Sequence, residues 1–201
     1  MRVGVLGGTF DPIHMGHLVM AEQCHEQIPL DQVWFMVSAA PPHKRDREIS
    51  PFDKRVEMAQ LAIAGNRAFQ VNEMEKNRPG PSYTADTLRE LHRQFPQTEF
   101  CWIVGSDCLP DLPHWHEPLT VISLAKVVVV ARPGWPVWSA EQMRAELNLA
   151  RETPLQMQVV SVPLLDISSR DLRHRVAEGR SIRYFVPPAV LAYIQDKKLY
   201  R

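Results

Sequence analysis

The run KVVVVA at residues 126–131 limits the possible architecture more than any other stretch of this chain. Four consecutive β-branched residues favour a strand, and with no polar residue at alternate positions that strand has no side to turn to water. It must be covered on both faces, as helices cover a parallel sheet built from crossover units. The rest of the chain supplies matching parts. Strand-like runs occur at residues 2–6, at QVWFMV (Gln32–Val37), and at residues 68–71, 99–104 and 157–162. Helical stretches separate them: Met15–Gln27; a segment opened by Ser50 as N-cap and Pro51 at the first helical position, with Phe52, Val56, Ala59 and Ile63 on one face; and a segment with Ala85, Leu88, Leu91 and Phe95 on one face. Short helical pieces are expected within residues 107–124, a helix near 139–150, and two more from about Ser169 and Pro187. Six strands alternating with helices predict an α/β fold, a doubly wound, mostly parallel sheet with C-terminal helices.

At 201 residues the chain suits a single domain over 1–201, and no repeat, linker or low-complexity segment divides it. Lys+Arg and Asp+Glu are equal at 23 each, so overall charge points to neither nucleic acid nor a membrane surface as partner. A small anion bound in one basic pocket is compatible with that balance. The three cysteines, Cys24, Cys101 and Cys108, form neither an even set nor a CxxC pair, which argues against a disulfide framework or a zinc site. A strand-like run from residue 2 leaves no room for a signal peptide, and no apolar run reaches the ~20 residues of a membrane span. The expected compartment is the cytoplasm. A homo-oligomer is compatible with all of this.

In a doubly wound sheet, ligands bind beyond the carboxyl ends of the strands. That rule marks the loops after residues 6, 37, 104, 131 and 162, and the unusual residues fall there. The first loop reads GGTFDPIHMGH, residues 7–17. Gly7 and Gly8 allow close approach of backbone to a phosphate, and the helix that follows offers unpaired N–H groups and positive potential. Neither GxGxxG nor GxxxxGK[ST] is present, so a phosphate site of another design is expected. His14 and His17 are expected on one face of the first helical turn, placed to donate to phosphoryl oxygens.

This segment resembles the signature of the HxGH nucleotidylyltransferases, which join a nucleotide to a phosphorylated acceptor and release pyrophosphate. The resemblance implies that His14 and His17 contact the nucleotide phosphates and the developing charge at the α-phosphorus, and that Thr9 and Phe10 lie in the loop receiving phosphate and acceptor. Further segments are similar to the same superfamily. PPHK (residues 41–44) resembles a segment of one branch, the bacterial nicotinate mononucleotide adenylyltransferases, which implies that Lys44 reaches phosphate, whereas His43 reads equally well as structural. Gly105 and Asp107 of VGSD match its GxD element, which contacts the nucleotide, and Arg132 belongs to an RPG element at the adenosine site. ISSRDLR (residues 167–173) is similar to the ISSTxxR element that holds the ATP phosphates, implying roles for Ser168, Ser169 and Arg173. Arg170 stands where Thr is usual. Ser168 with Asp171 three residues on also fits a helix N-cap.

Other segments resemble one branch, the bacterial nicotinate mononucleotide adenylyltransferases. SYTADT (residues 82–87) implies an acceptor pocket at a helix start, with Tyr83 and Thr84 beside the pyridine ring or its carboxylate; Trp115 implies a ring stacked on that pyridine. His114 and His116 are read as pointing to opposite sides of an extended segment, away from any metal pair.

On this resemblance the substrates are ATP and nicotinate mononucleotide, with Mg²⁺ accompanying the polyphosphate and no protein metal ligand. The residue inventory suits that chemistry. A phosphate monoester, with a second pKa near ~6, is largely ionised at neutral pH. It needs in-line positioning and donors for phosphoryl charge rather than a general base. Pantetheine-phosphate adenylyltransferases share much of the first motif but usually carry Thr in place of His14. Cytidylyltransferases share it with a different closing segment. A non-catalytic nucleotide-binding module is the alternative from another class.

Overall fold

The computed structural model describes residues 1–42 and 49–201. Lys44 and His43 lie outside the described residues. Six strands form one sheet: β1 (Arg2–Gly8), β2 (Gln32–Val37), β3 (Phe69–Asn72), β4 (Glu99–Gly105), β5 (Lys126–Val130) and β6 (Met157–Val160). Their spatial order is β3-β2-β1-β4-β5-β6, and every neighbouring pair is parallel. The connections are made by α1 (Met15–Gln27), α2 (Phe52–Ile63), α3 (Thr84–Gln94), a 3-10 helix (Ser106–His114), α4 (Pro118–Leu124) and α5 (Ala140–Glu146); α6 (Ser169–Ala177) and α7 (Pro188–Asp196) follow β6.

The alternating side chains of each strand feed two separate cores. On β5, Val128 and Val130 join a core with Val33, Phe35 and Val37 of β2, together with residues of α1, α2, α6 and α7. Val127 and Val129 face the other way, into a core with Trp34, Met36, Trp102 and residues of α3, α4 and α5. None of these four valines is more than 2% exposed, as the apolar run required. Burying each stabilises the fold by about 1.5–3 kcal/mol relative to leaving it in water.

The strand order reverses between β1 and β4. Their carboxyl ends diverge there into loops on opposite sides of the sheet, which opens a crevice. β1 runs two residues further than its apolar run suggested, because Gly7 and Gly8 pair with Met36 and Val37. Within the strand the two glycines also serve packing. A Cβ on Gly7 would sit 2.8 Å from the Trp102 ring, and one on Gly8 2.8 Å from the Phe10 ring. At α2 the expected cap is also displaced. Pro51 takes the N-cap position without a side-chain bond, while Ser50 is drawn into the loop, its amide donating to Asp11 Oδ2 at 3.2 Å.

Candidate active site

Immediately after β1 the chain makes an abrupt bend. Phe10 adopts φ 50°, a left-handed conformation that a bulky residue takes only when its surroundings hold it there, and the Asp11–Pro12 peptide is cis. The Phe10 ring is 1% exposed, lying over Gly8 and edge-on to His17 at 5.1 Å between centroids. The bend delivers the N-terminus of α1 into the crevice. His14 is the N-cap of that helix rather than a member of its first turn, and its ring stacks on that of His17 at 3.7 Å. The expectation of a shared helical face is corrected accordingly: the rings meet because the cap residue folds back over N3. Gly16 keeps that space open, since a Cβ there would lie 3.1 Å from the His14 ring.

The two histidines differ in their hydrogen bonding. The His14 amide donates to His17 Nδ1 at 3.2 Å. In the neutral His17 ring this puts the proton on Nε2 and makes that nitrogen a donor. The His17 amide faces back toward the His14 ring as in a capping box, but it bonds the His14 carbonyl at 3.0 Å. Among the described residues, buried His14 Nδ1 has no hydrogen-bond partner. Burial, aided by the nearby Arg132 charge, pulls the His14 pKa down to about 3, so the ring is neutral at physiological pH.

Around this pair the crevice opens into two connected lobes. The larger, about 620 Å³, is lined by Gly7, Gly8, Thr9, Phe10, His17, Tyr83, Thr84, Gly105, Asp107, Trp115, Arg132 and Ser169, among others. Its volume is that of a small-molecule site. The smaller, about 440 Å³, is lined by Thr9, Asp11, His14, His17, Ile49, Asp107, Arg132, Ser168, Ser169, Arg170, Asp171 and Arg173. Every described residue singled out from the sequence therefore borders one lobe or the other. Thr9, His17, Asp107, Arg132 and Ser169 border both.

Backbone ties set these positions. The Arg132 amide donates to Ser106 Oγ at 2.9 Å, and that wholly buried hydroxyl donates to the Trp135 carbonyl at 3.1 Å, fixing the turn after β5. The Arg132 guanidinium lies 3.8 Å from Asp107 and reaches the Ile167 carbonyl. A Cβ on Gly105 would displace the Asp107 carboxylate from its present place and press on the Arg132 side chain. The start of α6 is bound to the β1 loop: Ser169 Oγ donates to the Pro12 carbonyl at 2.9 Å, and Arg173 Nη1 to the Asp11 carbonyl at 2.7 Å. Ser168 does cap α6, accepting the Asp171 amide at 3.1 Å, while it also borders the smaller lobe.

The far wall of the larger lobe is aromatic. Tyr83, the residue before α3, stacks on His116 with centroids 4.3 Å apart. His114 and His116 do not point apart along an extended chain. The segment is a 3-10 helix ending at His114, and both rings border the larger lobe. Glu75 was not anticipated either. Only 3% exposed, it accepts from the Thr87 hydroxyl at 2.5 Å and from the Ala39 amide at 3.3 Å, tying α3 to the loop after β2. Asp11, Arg55 and Tyr200 were also missed. Asp11 lies inside the first motif but was given no role there, and Arg55 and Tyr200 lie in no motif; their hydrogen bonds identify all three.

Among the described residues, no group of three or more His, Cys, Asp or Glu side chains is arranged to hold a metal, and no helix is long and apolar enough to cross a membrane.

A cytidylyltransferase-like family model matches residues 5–175. The "probable nicotinate-nucleotide adenylyltransferase" of Thermus thermophilus is 46% identical over 201 residues, spanning the whole of both chains. That of Thermomicrobium roseum is 44% identical over 200 residues, covering 100% of this chain and 92% of its own. In three dimensions the chain is similar to Plasmodium falciparum nicotinic acid mononucleotide adenylyltransferase complexed with NaAD. The TM-score is 0.82 over 99% of this chain and 97% of that one, and at 18% identity the likeness is one of fold. The chain thus belongs to the cytidylyltransferase-like family, among its nicotinate-nucleotide adenylyltransferases.

Proposed function

We infer that this enzyme transfers the adenylyl group of ATP to nicotinate mononucleotide, giving deamido-NAD and pyrophosphate, a step of NAD biosynthesis. One observation carries the assignment of roles: the starts of α1 and α6 meet at a narrow wall between two lobes, with His17, Arg132 and Ser169 common to both. The larger lobe suits the acceptor, its aromatic wall of Tyr83, His116 and Trp115 being a surface for a pyridine ring. The smaller suits the triphosphate tail, because Arg132, Arg170 and Arg173 border it beside the N-termini of two helices. The α-phosphorus then lies at the shared wall.

There an acceptor phosphate oxygen attacks the α-phosphorus. The new P–O bond forms opposite the bond to the β-phosphate, whose electrons leave with pyrophosphate. Neither reactant needs a proton removed at neutral pH. The work of the protein is alignment and stabilisation of charge on the equatorial oxygens. His17 Nε2–H is a donor for that charge, and neutral His14 braces it by stacking and through its amide. Arg173 and Ser169 hold the α6 end of the site against the β1 loop. The Lys44 role stays a proposal resting on family resemblance.

ATP-using enzymes of this type work with a divalent cation, and the donor set here fits Mg²⁺ carried mainly on phosphate oxygens and water. Among the described residues bordering the smaller lobe, Asp11 is bonded to Tyr200, Asp171 to Ser168 and Asp107 lies 3.8 Å from Arg132, which suits an ion held mainly by the substrate. The ion would supply neutralisation of the polyphosphate. An ATP substrate and three cysteines in no CxxC pattern favour the cytoplasm as the place of action, with the described fold acting as a single unit.

The test is pyrophosphate release with ATP and Mg²⁺, offering nicotinate mononucleotide, nicotinamide mononucleotide and phosphopantetheine in parallel. Turnover strongly favouring the nicotinate acceptor is expected. Turnover with phosphopantetheine alone would overturn the acceptor assignment, and no release with any of the three would overturn the reaction.

A further inference from the structure

Beneath the crevice, bordering neither lobe, lies a buried cation. Arg55 of α2 is 2% exposed. Its Nη1 donates to the Thr9 carbonyl at 2.8 Å and to the Ser38 carbonyl at 2.7 Å, and its Nε to the Ser50 carbonyl at 2.9 Å. These three carbonyls belong to three segments: the loop after β1, the end of β2 and the approach to α2. Among the described residues no carboxylate lies within ion-pair distance of the guanidinium. Burial pulls its pKa below the ordinary arginine value, and the nearby Asp11, Tyr200 and Glu75 counter part of that effect. Burying a guanidinium is costly unless its donors are satisfied, and an apolar side chain would fill such a site at less cost. The retained charge therefore calls for a reason beyond packing.

Geometry supplies one. The last rung of the β1–β2 ladder is the Ser38 amide on the Gly8 carbonyl at 2.9 Å. Past that rung the two strands diverge and no ladder joins them, yet the next residues, Thr9 and Ser38, both border the larger lobe. Arg55 Nη1 bridges their carbonyls where the ladder stops. A second tie converges on the same place. Asp11 Oδ2 accepts the Ser50 amide at 3.2 Å, and Asp11 Oδ1 accepts the Tyr200 hydroxyl at 2.6 Å. Ser50 is thus gripped at its carbonyl by Arg55 and at its amide by Asp11, while Tyr200 braces Asp11 from the chain's C-terminal end.

We propose that Arg55 is a positioning residue for adenylyl transfer: its forked guanidinium, seconded by the Tyr200–Asp11 pair, fixes the spacing between the Thr9 and Ser38 walls of the crevice. Lysine cannot replace it, because Nη1 joins the Thr9 and Ser38 carbonyls while Nε holds the Ser50 carbonyl, and a single ammonium nitrogen cannot occupy both places. The proposal rests on the adenylyl-transfer reading for its kinetic consequence and on geometry alone for its structural one.

Arg55→Lys and Tyr200→Phe separate these. Each full-length variant is assayed for pyrophosphate release with ATP, Mg²⁺ and nicotinate mononucleotide, well below its own melting temperature, alongside amide hydrogen exchange. Arg55→Lys is expected to lower kcat by about 10²-fold, the scale of a 1 Å misplacement, while both KM values move by less than about threefold. The Ser38 and Ser50 amides should exchange faster in the same variant. Tyr200→Phe keeps the ring and removes only the hydroxyl, so it is expected to lower kcat by several-fold and to deprotect Ser50 alone. A folded Arg55→Lys enzyme with wild-type kcat and wild-type exchange at Ser38 and Ser50 overturns the proposal. If Arg55→Lys does not fold, wild-type kcat and unchanged Ser50 protection in Tyr200→Phe overturn it instead. If the wild type releases no pyrophosphate, the functional reading fails, and exchange at Ser38 and Ser50 decides the role of Arg55 by itself.

Discussion

The smaller lobe of the crevice is walled by parts tied to one another through main chain: Ser169 to the Pro12 carbonyl, Arg173 to the Asp11 carbonyl, and the His14 amide to His17. The aromatic wall of the larger lobe is held differently. His116 rests on Tyr83 by ring contact, and the segment is anchored next door, where Glu117 pairs with Arg89 and accepts the Thr120 hydroxyl at 2.9 Å on the protein surface. Surface ion pairs of that kind contribute about 0–1 kcal/mol. On the proposed assignment a triphosphate in the smaller lobe must meet donors at fixed places for charge to be stabilised without reorganisation, so rigidity there would bear on kcat. A pyridine ring needs only an apolar face, so a softer wall bears on acceptor affinity. The comparison teaches that one crevice combines a rigid electrostatic half with a more adjustable recognition half.

The largest break in that comparison should come from His17→Ala. Loss of a donor at the shared wall is expected to cut kcat by about 10²-fold or more, or about 2.7 kcal/mol of transition-state stabilisation, with the fold intact by circular dichroism. Near-normal kcat would remove His17 from the chemistry. Next in size is the response of His14 to acid. Its pKa in the fold, about 3, lies below the ordinary histidine value of 6.5, so the unfolded chain binds a proton that the folded chain refuses. The stabilisation is complete above pH 6.5 and is lost as pH falls toward 3. Between pH 6.5 and 5 the loss should be about 2 kcal/mol. Urea unfolding of the wild type and of His14→Asn measures it; equal pH slopes for the two would show that His14 does not drive the change.

A smaller effect sharpens the other half. Trp115→Ala should raise the acceptor KM by about tenfold, or about 1.4 kcal/mol, and leave the ATP KM unchanged. A shift in ATP KM alone would reverse the assignment of the lobes. Smallest of all, His116→Ala should raise the acceptor KM by about two- to threefold, since an exposed ring contact is worth under about 1 kcal/mol. A drop in kcat without a change in KM would mean that the aromatic wall is coupled to the reacting phosphate after all.

Much of this was legible beforehand. The bounds of α1 and β2 could be read directly, because each is a long run of one period. The two-sided burial of β5 followed from its four valines. The residues bordering the lobes were found because phosphate and ring chemistry draws on few residue types, grouped in the loops after strands. Other expectations failed where a distant contact decided the local geometry. Ser50 was expected to cap α2, but Asp11 and Arg55 hold its amide and carbonyl. Gly7 and Gly8 were expected in the loop after the first strand, but they continue the strand, with Trp102 and Phe10 pressed against them.

The sequence by itself determined the layered α/β architecture, the strands with two apolar faces, and which loops border the crevice, since each depends on period and residue type within one segment. Only the tertiary structure decided that His14 is a neutral cap stacked on His17, that His114 and His116 face the same crevice, and that Arg55, Asp11 and Tyr200 meet beneath it. Those outcomes depend on burial and on partners tens of residues away in the chain, and no local pattern encodes either.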